Sequence, residues 1–209
     1  MLASQCPVCN TREVRKIILA SSSPRRREIL EKSGISFSAE ESGYEEDLTL
    51  KLGPHKLAEY LALQKAEAVA MRHKDGIIIG ADTIVVLKNE ILGKSRDKSD
   101  ASKMLKKLSG SMNTVITGIA IIDASSGRKL TKSAETHVFF KKLSDNDIVD
   151  YIHTGEYRDK AGSYAVQGEG RRLIEKIEGD LGNAMGLPLD LLLKELEEFG
   201  VHPLPPWPL

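Results

Sequence analysis

The sequence predicts an α/β domain built on a mixed sheet with flanking helices. Strand-like and helix-like segments alternate along the whole chain, with no linker and no internal repeat between them. Two long extended runs separated by a short turn lie in the middle of that alternation. At 209 residues, with 41% hydrophobic and 29% charged side chains, the chain can bury one substantial core and has the composition of an ordinary soluble globular protein. No stretch approaches the roughly 20 consecutive apolar residues of a membrane span. The formal net charge is zero. General attraction to nucleic acid or to anionic membrane is therefore not expected, and a preference for phosphate has to come from a local cluster. No apolar h-region opens the N-terminus, so a cytoplasmic location is expected.

The first structured segment is the apolar run Ile17 to Ala20, a buried strand. Ser23 and Pro24 then read as N-cap and first residue of a helix that stops at Gly34, and Ile35 to Ala39 is extended. A helix from Pro54 to about His73 places Leu57, Leu61, Ala62, Ala66 and Val69 on one stripe. Gly76 to Gly80 is a short apolar strand and Thr83 to Leu87 another; Lys88-Asn89-Glu90 turns the chain and Ile91-Leu92 returns. A helix from Ser99 to Leu108 is closed by Gly110. The extended runs Thr114 to Asp123 and Lys129 to Phe140 flank the turn Ser125-Ser126-Gly127. Ser144 to Asp147 is a capping box for a helix ending at Gly155. Arg172 to Ile177 reads as a strand and Leu187 to Phe199 as a closing amphipathic helix, before the irregular tail Pro203 to Leu209. The expected division is an N-terminal extension (1–14), one domain (15–200) and a Pro-rich tail (201–209).

Three segments carry chemistry. In Ser21-Ser22-Ser23-Pro24-Arg25-Arg26-Arg27, hydroxyls and guanidinium groups meet at a strand-to-helix junction. Free backbone N–H groups and the positive end of the helix dipole converge there, which suits phosphate. The dipole disfavours three arginines in a first turn, so they need compensation. In Gly80-Ala81-Asp82-Thr83 a buried strand delivers Asp82 and Thr83 at its C-terminal end, where open α/β sheets bind ligands, with two small residues before the carboxylate leaving room. Taken alone, an Asp there is more often a turn or cap residue. In Asp159 to Gly168, Gln167 offers an amide with one acceptor and two donors, matching the imide edge of uracil or thymine, although spacing alone assigns it no role. Glu45-Glu46-Asp47 could hold Mg²⁺ or Mn²⁺ through carboxylate oxygen, or be a solvated loop. Lys65 and Lys94 are anonymous by themselves. Cys6-Pro7-Val8-Cys9 is half of a zinc site with no histidine spacing to complete it, and it lacks a thioredoxin-like setting. A second subunit supplying two more cysteines stays open.

Taken in order, Leu19 to Arg26, Glu45-Glu46, Gln64-Lys65-Ala66, Gly80 to Thr83, Leu92-Gly93-Lys94, Leu108-Ser109-Gly110, Asp159 to Gly162, Gln167-Gly168 and Gly186-Leu187-Pro188 resemble the Maf family of nucleotide pyrophosphatases, first named for septum formation. The resemblance spans about residues 15 to 200. It implies an elongated two-lobed fold like that of inosine triphosphatases, and cleavage of a nucleoside triphosphate between the α- and β-phosphates with a divalent metal (Mg²⁺, Mn²⁺ or Co²⁺). By similarity Asp82 is the proton acceptor and, with Glu46, the metal partner. Ser21, Arg26, Lys65 and Lys94 hold phosphates. Arg25, Thr83 and Gln167 match positions diagnostic of the branch acting on dTTP and UTP; the branch acting on methylated GTP carries Trp, Gln and Glu there. A homodimer is expected.

Two features depart from the pattern: Ser95 replaces the proline that follows the lysine, which would loosen the loop presenting Lys94, and both chain ends are additions. A regulator of cell division that binds nucleotide without turnover is the competing class. It would be expected to lose Asp82 or a phosphate lysine, and this chain keeps them. A purine-directed enzyme of the inosine-triphosphatase type should lack Gln167 in this setting.

Overall fold

The computed structural model describes residues 15–202. Both the Cys6–Cys9 pair and the tail Pro203–Leu209 lie outside the described residues. The first strand, β1 (Ile17–Leu19), leads into α1 (Pro24–Glu31) and the short β2 (Ser38–Ala39). The long helix α2 (Pro54–Ala70) precedes β3 (Ile77–Leu87), β4 (Glu90–Leu92) and α3 (Lys98–Leu108). The hairpin β5 (Met112–Asp123) and β6 (Lys129–Phe140) is followed by α4 (Asp145–Thr154), a 3-10 helix at Gly168–Leu173, β7 (Ile174–Gly179), α5 (Leu181–Met185) and α6 (Leu189–Glu197). The sheet runs β2-β1-β3-β5-β6-β7, with β4 beside β3. It is mixed: β1 pairs parallel with both β2 and β3, and the other pairings are antiparallel. Among the described residues no helix is long and apolar enough to cross a membrane.

Local chemistry explains most boundaries. Lys88 and Asn89 both take positive φ, the requirement of the tight turn that joins β3 to β4. Ser144 and Asp147 form the predicted capping box, and Gly155 closes α4 in the left-handed region. Three expectations change. The segment 35–37 does not pair, leaving only Ser38–Ala39 as strand. Arg172 and Leu173 belong to the 3-10 helix, so the last strand starts at Ile174. The two short strands expected at 76–80 and 83–87 are one continuous strand, with Asp82 near its middle.

That third correction has a packing cause. Gly80 and Ala81 look like a break, yet β5 pairs with β3 without interruption from Ile77 to Val86. Gly80 is small because α2 crosses the sheet there: a Cβ would overlap the Ala62 carbonyl oxygen. Gly118, opposite Asp82 on β5, is equally bound to glycine by the Ala58 carbonyl. The space after Gly80 belongs to a helix backbone, not to a ligand.

The other edge of β3 creates the cleft. β1 pairs with Ile77–Ile79 and stops; β4 pairs with Val85–Leu87. Between them, residues 80–84 have no strand neighbour on that edge among the described residues. Separate cores lie on the two sides of this gap. Leu19, Leu30, Ile79, Leu192 and Leu196 pack beyond β1, and Leu87, Leu92, Leu105, Tyr151 and Tyr164 pack beyond β4.

Candidate active site

The gap opens into a cleft of about 750 Å³ whose wall contains Ser21, Arg25, Arg26, Glu46, Lys65, Asp82, Thr83, Lys94 and Gln167. Every site residue expected from the sequence therefore lines one cavity, although their positions span almost 150 residues of chain. Asp82 and Thr83 are consecutive strand residues and point to opposite faces of the sheet. Both reach the cleft because the edge of β3 is bare at that point.

Asp82 lies on the α2 side. Lys65, in the alanine-lined stretch of α2, is 9% exposed and donates from Nζ to Asp82 Oδ1 at 2.5 Å and to Glu46 Oε1 at 2.6 Å. Helix α2 can bring a lysine this close because Gly80 and Gly118 let its backbone settle onto the strands. Lys94 Nζ stands 3.8 Å from the same Glu46 oxygen. Of the acidic cluster, Glu46 alone enters the cleft; Asp47 turns away to accept from the Thr49 amide and hydroxyl.

Arg26 reaches across from α1. Its Nε donates to the Gly186 carbonyl at 2.8 Å, Nη1 to Ser21 Oγ at 3.4 Å and Nη2 to Thr83 Oγ1 at 3.0 Å. Thr117 donates its hydroxyl to the Asn183 carbonyl, so the proton shared between Thr83 and Thr117 comes from Thr83. The result is a directed chain from Arg26 through Thr83 and Thr117 to backbone. Ser23 caps α1 without a side-chain bond, and its own amide donates to Ser21 Oγ at 3.2 Å. No acid occupies the first turn of α1. Of its three arginines, Arg26 lies within the field of the Asp82 and Glu46 carboxylates.

The electrostatics follow from burial. Asp82 is 3% exposed. That burial raises its pKa above the usual carboxylate range, against the pull of Lys65 and Arg26. Glu46 ends below that range: burial alone would raise it, but the charge and hydrogen bond of Lys65, with Lys94 and Arg26, outweigh the loss of water. Burial also lowers the Arg26 guanidinium, with Asp82 and Glu46 opposing. Two neighbouring carboxyls are thus pushed in opposite directions, a pattern that separates a proton acceptor from a fixed negative charge.

Among the described residues no group of three or more His, Cys, Asp or Glu is arranged to hold a metal ion. Glu46 and Asp82 nonetheless already share one cation, the Lys65 ammonium, and both present hard carboxylate oxygen. That donor set fits Mg²⁺ or a similar ion, which takes one or two carboxylates and completes its shell with water and phosphate oxygen.

Gln167 sits on the opposite wall, on the loop between α4 and the 3-10 helix, with its side chain exposed to the cleft. The Lys94 loop is pinned despite Ser95. Lys94 forms a β-bridge with Ala161, and the Gly162 amide donates to the Gly93 carbonyl at 3.0 Å. Those contacts tie the two residues before Ser95 to the loop at 161–162. Sequence reasoning missed Tyr44 and Arg158, which also line the cavity, and the buried Thr117–Asn183 support. Thr117 faces Thr83 through the β3–β5 register, which no local pattern supplies, and Tyr44 and Arg158 carry no local signal either.

The chain matches the family model of the Maf-like proteins over residues 16–199. Among curated relatives, it is 44% identical to a dTTP/UTP pyrophosphatase of Pelotomaculum thermopropionicum over 191 residues, 91% of this chain and all of the relative. It is 47% identical to a dTTP/UTP pyrophosphatase of Thermoanaerobacter sp. over 189 residues, 90% of this chain and 98% of the relative. A dTTP/UTP pyrophosphatase of Clostridioides difficile shares 45% over 183 residues, 88% and 94% of the two chains.

Proposed function

The chain belongs to the Maf family, and on that premise we propose that it is a hydrolase that cleaves dTTP and UTP to the monophosphate and pyrophosphate. Residues 15–200 form the catalytic domain in this reading. One observation carries it: a lysine bridges two carboxylates inside a cleft that also gathers Arg25, Arg26, Lys94 and Gln167.

Ser21, Arg26, Lys65 and Lys94 would hold the triphosphate, the arginine through forked donors and the lysines as point charges. Arg26 is already oriented by Thr83 and Gly186, so little freedom is lost when it binds. Asp82, with its raised pKa, would orient the attacking water and take its proton. General-base catalysis of this kind contributes roughly 10²–10⁴-fold. A divalent ion (Mg²⁺, Mn²⁺ or Co²⁺) held by Glu46 and Asp82 would neutralise phosphate charge and acidify water. Lys65 would then turn from the carboxylates towards phosphate. The expected cytoplasmic setting and homodimer belong to the same reading and rest on the sequence alone.

Gln167 would read the base, accepting from N3–H and donating to a carbonyl. Cytosine, with a bare N3 and an exocyclic amine, leaves those groups mismatched at about 1–3 kcal/mol each, or roughly one to two decades in specificity, whereas guanine offers a similar N–H and carbonyl on a larger bicyclic ring and is disfavoured by its size. The test is pyrophosphate release from UTP, dTTP, CTP and GTP with Mg²⁺, Mn²⁺ or Co²⁺. UTP and dTTP should lead GTP by at least tenfold in kcat/KM, CTP should lie between because the amide can flip, and Gln167→Glu should collapse the UTP:GTP ratio. A wild type without preference for UTP over GTP overturns the reading.

A further inference from the structure

We infer that Glu156, which lies outside the cleft, is a positioning residue that sets base selectivity by fixing Gln167. The inference rests on the reading of Gln167 given above.

Gln167 is the residue just before the 3-10 helix Gly168–Leu173. The first amides of such a helix have no partner of their own. Here they are taken by a carboxylate from 13 and 14 residues upstream: Glu169 N donates to Glu156 Oε1 at 3.2 Å and Gly170 N to Glu156 Oε2 at 2.9 Å. The carboxylate therefore fills, from within, a pair of amides of the kind that elsewhere binds an anion. Gly168 makes this fit. Its φ is +60°, and a Cβ there would overlap Glu156 Oε1, so the backbone leaving Gln167 lies directly against the carboxylate. Gly170 is folded against Ala165 just as closely, because a Cβ would overlap the Ala165 carbonyl oxygen.

Glu156 is itself held. Its amide donates to Thr154 Oγ1 at 3.1 Å, and Lys160 Nζ donates to its carbonyl oxygen. On the other side of Gln167 the chain is anchored in the core. The Ala165 amide donates to the Tyr151 hydroxyl at 3.1 Å, and Tyr164 donates to Asn113 Oδ1 at 2.8 Å. Only Val166, Gln167 and Gly168 lie between the two anchors. The tyrosine anchor is buried, so it sets where the loop leaves the core. The Glu156 anchor sets the direction in which the chain leaves Gln167, and hence the aim of its amide. Charge-assisted bonds to two amides suit that task, since they are roughly twice as strong as neutral ones.

Glu156 does not line the cleft, so its loss should be felt through the base and not through phosphate. In Glu156→Gln one amide keeps an oxygen acceptor while the other meets an NH₂ donor. The test compares kcat and KM for UTP and GTP in wild type, Glu156→Gln, Gln167→Ala and the double variant, with thermal melting of each. Expected is an approximately tenfold fall in the UTP:GTP ratio of kcat/KM for Glu156→Gln, seen mainly as a higher KM for UTP, while GTP changes less than twofold. In the Gln167→Ala background the second substitution should leave the ratio where it is, because the two residues act as one unit. Parallel losses on UTP and GTP, an unchanged ratio, or independent effects in the double variant overturn the inference. A wild type that prefers UTP while Glu156→Gln keeps that preference refutes this role alone and leaves the proposed substrate standing. A wild type without preference refutes both.

Discussion

Replacing Gly80 with alanine tests whether the crossing of α2 over β3 is what builds the site. The added Cβ would overlap the Ala62 carbonyl oxygen, and it would lie 2.9 Å from Ala66 Cβ and 3.0 Å from Ala66 N. Two of these three atoms are helix backbone, so relief requires moving α2 as a body or bending β3, which β5 holds from Ile77 to Val86. Overpacking of a well-filled core costs about 1–3 kcal/mol, and a backbone obstacle puts this site at the upper end. At about 2–4 °C per kcal/mol for a chain of this size, Tm should fall by roughly 6–12 °C. The same movement carries Lys65, which lies between Ala62 and Ala66, away from Asp82. Misplacement by about 1 Å costs up to 10²-fold in rate, so kcat measured well below Tm should drop about 10- to 100-fold. Gly53→Ala is the control, because nothing lies within 4 Å of its added carbon and its φ of −60° suits any residue. Differential scanning calorimetry and pyrophosphate release at 25 °C read both quantities. If Gly80→Ala melts with Gly53→Ala, or turns over at the wild-type rate, the close crossing does not position Lys65.

Asp82→Asn should keep the fold, since Lys65 retains Glu46 as partner, and should lower kcat by about 10²–10⁴-fold while triphosphate still binds. Near-normal turnover would remove Asp82 as proton acceptor. Far from the cleft, Asp123 reports on stability. Burial would raise its pKa, but the Ser125 hydroxyl and amide and the Arg15 guanidinium at 2.8 Å hold the carboxyl well below the ordinary range. A depressed native pKa stabilises the fold above the unfolded value of about 3.9, and that contribution fades as pH falls through the native value. Asp123→Asn should therefore melt below the wild type at neutral pH, with the gap narrowing between about pH 4 and pH 2. A gap independent of pH would show that the carboxylate charge adds nothing.

Much of the fold is written locally. The β6 bounds Lys129–Phe140 follow from composition and the turn before them. The capping box at Ser144, the Lys88-Asn89 turn and the apolar stripe of α2 are each set by neighbours within a few residues. The residues that line the cleft could be picked out as well, because short motifs in a fixed order single them out without any knowledge of their positions in space. Their roles as single residues could not: Lys65 reads as an ordinary helix lysine, and only the descent of α2 onto Gly80 and Gly118 makes it a buried bridge between Glu46 and Asp82.

The misplaced end of the strand at Gly80 has the same origin. A glycine followed by an alanine signals a break to a local reading, whereas here the smallness answers a helix backbone arriving from 18 residues earlier. The support of Arg26 by Thr83, Thr117 and Asn183 likewise needs the β3–β5 register and the return of the chain at α5. What the sequence determined by itself is the set of elements and the identity of the chemical groups, since propensity, capping and motif are properties of adjacent residues. What only the tertiary structure decided is the bare edge of β3 between the ends of β1 and β4. That gap is created by where two strands stop beside a third, a relation between segments distant in the chain, and it is what lets consecutive residues on opposite faces of a sheet line one cleft.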